Sequence, residues 1–193
     1  MHKALRSLFV YLFIVSSLAL PNAVSAADDV YYARCNLKVL KGNEITWVNW
    51  QSSPSMLPAG TQFKITNSGG ENVTLTDAKT GTTYNLHVGA SGEQFLEKFV
   101  SKKKVSIDKF PEKVQADIKA GLPRAGMTKE QVYIAMGPPR YIGGKNETNA
   151  LTYKDIMAAN LWVYERRRFA KRIGIEFDAS SGLVSRTEGV WGK

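Results

Sequence analysis

Histidine and cysteine, on which much catalytic and metal chemistry depends, are nearly absent from this chain. Its 193 residues include one cysteine, Cys35, and two histidines, His2 and His87. A single cysteine excludes an internal disulfide, and zinc sites need several Cys or His ligands at defined spacing. We therefore expect no cofactor and no metal. Cys35 is interpreted as a buried, unreactive thiol and His87 as a surface or edge residue of a strand.

Motifs of common hydrolases and nucleotide-binding proteins are also missing. The chain contains no Gly-x-Ser-x-Gly sequence, and a Ser-His-Asp arrangement would have to use His87. Ser68-Gly69-Gly70 lacks the lysine and the following helix of a phosphate-binding loop. We therefore expect a non-catalytic protein, and an envelope hydrolase is disfavoured.

Only one long apolar run occurs, and it lies at the beginning of the chain. Two basic residues precede Leu8–Leu20, which carries no charge, and small residues follow at Val24-Ser25-Ala26. This order is typical of a secretory signal peptide, here residues 1–26, that is removed before Ala27. The run is shorter than the roughly 20 apolar residues that a membrane-spanning helix needs, so we do not expect a retained anchor.

The position of the cysteine argues against a lipid anchor. A lipoprotein carries its cysteine directly after the apolar run, whereas Cys35 lies well downstream of Leu20. Removal of the signal peptide changes the net charge from +9 to +7, because it takes two basic residues. We expect a periplasmic or secreted protein, with the periphery of the outer membrane as one location. Its basic surface favours anionic partners, but nucleic acid is not expected for an exported chain.

Residues 27–90 are predicted to form a small antiparallel β domain, either a sandwich or a barrel. Strand-like runs recur about every ten residues, separated by turns rich in glycine, proline and asparagine. These runs are Val30–Val39, Glu44–Trp50, Gln62–Asn67, Asn72–Thr76 and Thr82–Val88. Trp47 and Trp50 are interpreted as core and sheet-surface residues rather than as a platform for a ligand.

Residues 91–106 are predicted to be a helix followed by a basic linker. Ser91 is the expected cap, Phe95 and Phe99 belong to the apolar face, and Lys102-Lys103-Lys104 ends the helix. The three lysines could bind an anion. We favour the interpretation that they complement the helix C-terminus in a solvated linker.

Residues 107–193 are predicted to begin with two helices. Pro111 suits the start of the first helix, and Gly121 ends it. The second helix has a complete start signal, because Thr128 and Gln131 are spaced as a capping box. Hydrophobic residues flank that box as a staple, Met127 before the cap and Val132 after it.

Three antiparallel strands are predicted to follow the helices. Their ranges are Leu161–Phe169, Arg172–Asp178 and Leu183–Glu188, with a hairpin turn between the last two. The intervening Gly143–Ala159 is interpreted as a long surface loop or insertion, in which Leu151-Thr152-Tyr153 has the pattern of a short extra strand.

The second helix and the strands resemble a known family. Gly126-Met127-Thr128-Lys129-Glu130-Gln131-Val132, continuing to Gly137-Pro138-Pro139, resembles the helical signature of the SmpA/OmlA (BamE-like) domain family. Trp162-x-Tyr164 and the hairpin from Phe177-Asp178 to Gly182-Leu183-Val184 resemble its strands. The resemblance covers about residues 107–190.

That resemblance implies an α+β domain in which two helices pack on a three-stranded antiparallel sheet. It also implies a periplasmic adaptor with a role in outer-membrane assembly or maintenance. The chain departs from the best-known member of the family in lacking the lipid-anchor cysteine, in its extra β-rich domain and in the residues inserted before Trp162. No binding residue is carried over, because the contact residues of the family lie outside the matched motif.

A basic cluster near the predicted strands is the candidate binding site. It consists of Arg166, Arg168, Lys171 and Arg172. Alternate residues of a strand share a face, so Arg166 and Arg168 would project together. Such a face could bind phosphate or carboxylate, although a solvated outer face is the more common arrangement.

Taken together, these features predict a non-catalytic periplasmic protein with a BamE-like adaptor domain. Its predicted partner is another envelope protein or an anionic envelope component such as a lipid headgroup. The alternative is a soluble periplasmic inhibitor or ligand-binding protein on the same fold.

Overall fold

The computed structural model describes residues 30–167 and 171–189. Within these ranges the protein is mixed α/β, with four helices and several mostly antiparallel sheets. The predicted signal peptide and its cleavage before Ala27 lie outside the described residues, as does Arg168 of the predicted basic site. No helix within the described ranges has both the length and the apolar character needed to cross a membrane.

Eight strands form two sheets in the first part of the chain. They are β1 (Val30–Ala33), β2 (Leu37–Val39), β3 (Glu44–Thr46), β4 (Ser55–Leu57), β5 (Gln62–Thr66), β6 (Asn72–Asp77), β7 (Thr83–His87) and β8 (Val100–Ser101). The larger sheet has the order β3-β7-β6-β5-β1-β8, and β2 pairs with β4 in a separate two-stranded sheet. Alternate residues face the core, so that Phe63, Val73, Leu75 and Leu86 are fully buried.

This arrangement differs from the predicted antiparallel sandwich or barrel. Within the described residues the six-stranded sheet is open, with β3 and β8 at its edges. One pair, β3 and β7, is parallel. A parallel pair requires a long connection, and the chain from β4 to β6 supplies it. The predicted strand Val30–Val39 is divided into β1 and β2 because the backbone leaves the sheet between Ala33 and Leu37.

The helix predicted for residues 91–104 is wrong for most of its length. Only Glu93–Leu96 is helical (α1), and its cap position is Gly92 rather than Ser91. The chain then returns to the larger sheet as β8, where Val100 lies opposite Ala33. Phe95, Leu96 and Phe99 have helical spacing, but tertiary pairing decides the structure because Phe99 and Val100 are both buried.

The two helices predicted after residue 107 are present. They are α2 (Glu112–Ala120) and α3 (Lys129–Met136). The predicted capping box is confirmed, since the Thr128 hydroxyl accepts from the Gln131 N–H at 3.2 Å and the Gln131 side chain accepts from the Thr128 N–H at 2.9 Å. Met127 and Val132 are both buried, as a hydrophobic staple requires.

The segment Gly143–Ala159 is more ordered than the predicted surface loop. It contains β10 (Asn146–Glu147), which pairs with β9 (Tyr141–Ile142), and α4 (Tyr153–Ala158). The extra strand predicted at Leu151-Thr152-Tyr153 is wrong, because Thr152 caps α4 in a box with Asp155. Ile156 of this helix is fully buried.

The second sheet contains the predicted strand meander. Its order is β10-β9-β11-β12-β13, where β11 is Leu161–Tyr164, β12 is Ile173–Phe177 and β13 is Val184–Glu188. The prediction extended the first of these strands to Phe169, but β11 ends at Tyr164. Arg166 and Arg167 therefore follow the strand instead of alternating along it.

One hydrophobic core is continuous between the two parts of the chain. At the junction, the Asn36 side-chain amide donates to the carbonyls of Ile118 and Ala135 at 2.7 and 3.0 Å. The Asn49 amide donates to the carbonyl of Met136. Because these buried amides lie on one part and their acceptors on the other, the two parts are held in a fixed relation.

Gly137, at the end of α3, permits this close approach. Its φ is 72°, a conformation that favours glycine. A Cβ at this position would lie 2.4 Å from Asn49 Nδ2 and 3.1 Å from Cys35 Sγ. The Gly-Pro-Pro sequence that ends the helix is therefore also a packing requirement of the junction.

Candidate functional site

Arg166 lies where the two parts of the chain meet at the surface. The Gln51 N–H donates to the Glu165 carbonyl at 2.9 Å, and the Ser52 N–H donates to the Arg166 carbonyl at 3.2 Å. The Arg166 guanidinium donates to the carbonyl of Gly189. These contacts attach the loop around Gln51 to the segment that follows β11, so both are positioned by the backbone.

An apolar depression opens on one side of this junction, and we call it the Trp50 groove. Its volume is about 290 Å³, and its lining residues are Leu40, Trp50, Ser52, Ser53, Pro54, Arg166 and Arg167. Trp50 is half-buried, whereas Pro54 and Arg167 are exposed. The lining therefore combines apolar side chains with two arginines and includes no carboxylate among the described residues.

A smaller depression, which we call the Lys38 pocket, shares Ser52 and Arg166 with the Trp50 groove. Its volume is about 200 Å³. Lys38, Gln51 and Ile173 also line it, together with residues 120–123 at the end of α2. The described lining again lacks a carboxylate, and it is more polar than that of the Trp50 groove.

Lys38 has little hydrogen-bonding compensation in this pocket. It is half-buried on β2, and among the described residues its Nζ donates only to Met56 Sδ, at 3.3 Å. A thioether sulfur is a weak acceptor for an ammonium group. Burial lowers the pKa of Lys38, because desolvation disfavours its charged form.

The predicted basic cluster has several different environments. Arg172 Nε donates to Glu165 Oε1 at 2.9 Å, and its guanidinium carbon lies 4.8 Å from the centre of the Tyr141 ring. Arg166 contacts Gly189 and lines both depressions, and Lys171 is exposed. Arg168 lies outside the described residues. Among the described members of the predicted set, Arg166 lines the Trp50 groove and the Lys38 pocket, whereas Lys171 and Arg172 line neither.

Sequence reasoning did not find the other members of this surface. Lys38, Leu40 and Pro54 carry no local motif, and Trp50 was interpreted as a core or sheet-surface residue. They meet Arg166 only because the loop around Gln51 is bonded to the segment after β11. No local periodicity reports a contact between residues so far apart in the chain.

The predicted lysine run lies in a different depression. It has a volume of about 390 Å³ and contains Lys102 and Lys103, but Glu93 and Glu97 also line it. The lysines do not end a helix, because α1 ends at Leu96 and β8 precedes them. The mixture of charges makes this surface less selective for an anion than the Trp50 groove.

Cys35 and His87 are placed as follows. Cys35 is fully buried, which confirms the predicted burial, and desolvation raises the pKa of its thiol to about 12. His87 Nε2 lies 3.1 Å from Glu44 Oε2, and this carboxylate also accepts from the Asn85 side chain. Across the part of the chain that the structure describes, no group of three or more His, Cys, Asp or Glu residues could hold a metal ion.

No family model, curated protein or solved structure matches this chain. The resemblance to the SmpA/OmlA family therefore stays a prediction based on the residue motifs.

Proposed function

We propose that this chain is a non-catalytic binding protein of the cell envelope, and that its Trp50 groove binds an acidic segment of a partner protein. The observation that carries this proposal is the lining of the groove, which combines apolar side chains with Arg166 and Arg167 and includes no described carboxylate. A ligand that fills it must supply both apolar surface and negative charge.

The size and composition of the groove favour a protein segment over a whole small molecule. Its volume of about 290 Å³ lies just below the roughly 300–1,000 Å³ typical of small-molecule pockets. Tryptophan and arginine are the residues that most often dominate protein–protein binding energy. The backbone bonds of Gln51 and Ser52 hold the groove in shape, which reduces the entropy lost on binding.

The envelope location and the adaptor role come from the sequence. The predicted signal peptide supports export, and the order α2, α3, β11, β12 and β13 supports an ααβββ domain of the SmpA/OmlA type. In this proposal β9, β10 and α4 are additions to that domain. The segment between Leu40 and Pro54, from the first part of the chain, supplies the rest of the groove lining beside Arg166 and Arg167. A role in outer-membrane assembly or maintenance follows from the family resemblance.

A titration with a defined peptide tests the proposal. The probe is a fluorescent peptide of alternating glutamate and leucine, and the control ligand replaces each glutamate by lysine. We expect only the acidic peptide to bind. The double variant Arg166→Ser/Arg167→Ser should weaken its binding by about tenfold or more, because both cations of the groove are removed.

Arg186→Ser is the matched control. Arg186 is exposed and forms ion pairs with Glu176 and Glu188 on β12 and β13, away from the groove lining. The control should leave peptide affinity unchanged. Equal binding of the acidic and basic peptides would contradict the proposal. Binding to phosphatidylglycerol vesicles without binding to the acidic peptide would instead identify an anionic lipid as the ligand.

A further inference from the structure

We infer that the Lys38 pocket binds the free C-terminal carboxylate of the partner polypeptide while the last side chain of that polypeptide enters the Trp50 groove. This inference rests on the proposed function, because it assumes that the Trp50 groove holds a polypeptide. It adds the part of the partner that is recognised, namely a chain end with an apolar last residue.

The cations of the Lys38 pocket retain donors for a ligand. Lys38 Nζ has three N–H groups and, among the described residues, one weak acceptor, Met56 Sδ. The Arg166 guanidinium has five N–H groups and donates to one described acceptor, the Gly189 carbonyl. Ser52 also lines this pocket. A carboxylate bound there would lie among residues that include two cations, Lys38 and Arg166.

Two carboxylates close in the chain to lining residues of this pocket already have cationic partners. Asp117 on α2 forms an ion pair with Arg124, and Glu165 forms one with Arg172. The end of α2 contributes about half a negative charge. However, the N–H groups of Gly121 and Leu122 bond back to carbonyls of its last turn, at 3.0 and 2.9 Å. The two cations, Lys38 and Arg166, therefore outweigh the helix end, and the pocket is positive.

The shared residues of the two depressions define the shape of the ligand. Ser52 and Arg166 line both, so the negative group and the apolar group of the ligand must lie close together. In an extended peptide, neighbouring side chains point to opposite faces, which separates an internal acidic side chain from the next apolar one. A C-terminal residue carries its carboxylate and its side chain on one Cα atom. It matches the adjacent pocket and groove directly.

Two peptides of one sequence test the inference on the full chain. Both consist of alternating glutamate and leucine and end in leucine, one as the free acid and the other as the C-terminal amide. We expect the free acid to bind about tenfold more tightly, because only it presents a carboxylate to the pocket. Lys38→Met should reduce this ratio towards one, and Lys119→Met, the same change at an exposed position on α2, should leave it unchanged.

A groove variant separates the two depressions. Trp50→Ala should weaken the binding of both peptides by a similar factor and preserve the ratio between the affinities for acid and amide.

If Lys38→Met does not fold, the ratio measured on the unmodified chain still decides the inference. Equal affinity for the acid and the amide overturns the inference and leaves the proposed function standing, whereas failure of both peptides to bind overturns both.

A titration with inorganic phosphate tests whether the Lys38 pocket binds a free anion instead of a peptide carboxylate. Phosphate is compared with another salt. If phosphate removes the preference for the free acid only at concentrations at which the other salt also removes it, phosphate does not compete for the pocket, and the pocket is specific for the chain end. The inference is wrong if phosphate binds at millimolar concentration, Lys38→Met removes that binding, and the acid and the amide peptides bind equally. The pocket is then a phosphate site.

Discussion

Lys98 is a buried cation, and no carboxylate from residues 30–167 or 171–189 is bonded to it. It is 1% exposed, and its Nζ donates to the carbonyls of Thr148 and Asn149 at 2.9 and 2.6 Å. The rings of Phe95 and Phe99 have centres 5.7 Å from the ammonium group. These contacts compensate the lost hydration only in part, and burial lowers the pKa of Lys98 to about 8.

Lys98 should therefore make stability depend on pH in the alkaline range. Its pKa is about 8 in the folded chain and about 10.5 when unfolded, so between these values the unfolded chain binds more protons. The contribution of Lys98 to the free energy of unfolding should rise with pH across this window, by about 1.4 kcal/mol per pH unit at most. Urea unfolding of the unmodified chain and of Lys98→Met, compared at several pH values, measures the difference.

Cys35 changes the free energy of unfolding in the opposite direction as pH rises. Its contribution cancels in the comparison of the unmodified chain with Lys98→Met. Burial raises the pKa of its thiol from 9.0 to about 12, so its contribution to stability is lost as the pH rises from 9 towards 12. Both proteins contain Cys35. If the difference in unfolding free energy between the unmodified chain and Lys98→Met stays constant from pH 8 to pH 10, Lys98 is not a desolvated cation.

Helix α3 was predicted correctly because the signals that start and end it are local. Thr128, Gln131 and Gly137 act within a few residues, and no distant contact opposes them. Helix α4 has a comparable signal, with Thr152 three residues before Asp155. The polar composition of the surrounding segment favours a surface loop and conceals this signal. For residues 91–104 the local pattern was helical, but pairing with β1 produced β8.

The capping box gives a quantitative prediction at the level of the element. Thr128→Ala should lower the free energy of unfolding by about 1 kcal/mol, because the Gln131 N–H loses its acceptor. Met127→Ser should add to this loss, since a buried apolar side chain of the staple is removed. Denaturant unfolding measures both changes. If neither variant moves the midpoint, the start of α3 does not depend on this box.

At the scale of the whole molecule, the buried amides of the junction decide whether the chain unfolds as one unit. Within the described residues the Asn36 side chain makes three hydrogen bonds: its amide nitrogen donates to the carbonyls of Ile118 and Ala135, and its side-chain oxygen accepts from the Ala59 N–H at 3.0 Å. These partners belong to both parts of the chain. None of this could be predicted from the sequence, where Asn36 resembles an ordinary residue between two strands.

Asn36→Ala should destabilise the entire protein. It leaves buried donors and acceptors without partners, each at a cost of about 1–3 kcal/mol. The unmodified chain should show coincident unfolding by tryptophan fluorescence and by far-ultraviolet circular dichroism. Two separate transitions in the unmodified chain would mean that its two parts are independent.

Export is a prediction from the first residues alone. Mass spectrometry of the periplasmic fraction should find an unmodified N-terminus at or within about two residues of Ala27, because the small-residue site precedes it. A lipid-modified cysteine, or an intact Met1 form in the membrane, would contradict the expected location.

The most direct test of the binding surface is the indole N–H spectrum of the protein during a titration with the acidic peptide. The chain has four tryptophans, so four indole signals are expected, and single substitutions by phenylalanine assign them. Trp162 is buried and its indole N–H donates to the Ile156 carbonyl at 3.0 Å, which makes it the internal reference. The proposed function predicts that peptide shifts the Trp50 signal in a saturable way while the Trp162 signal stays in place. Saturable binding that leaves the Trp50 signal unchanged would contradict it.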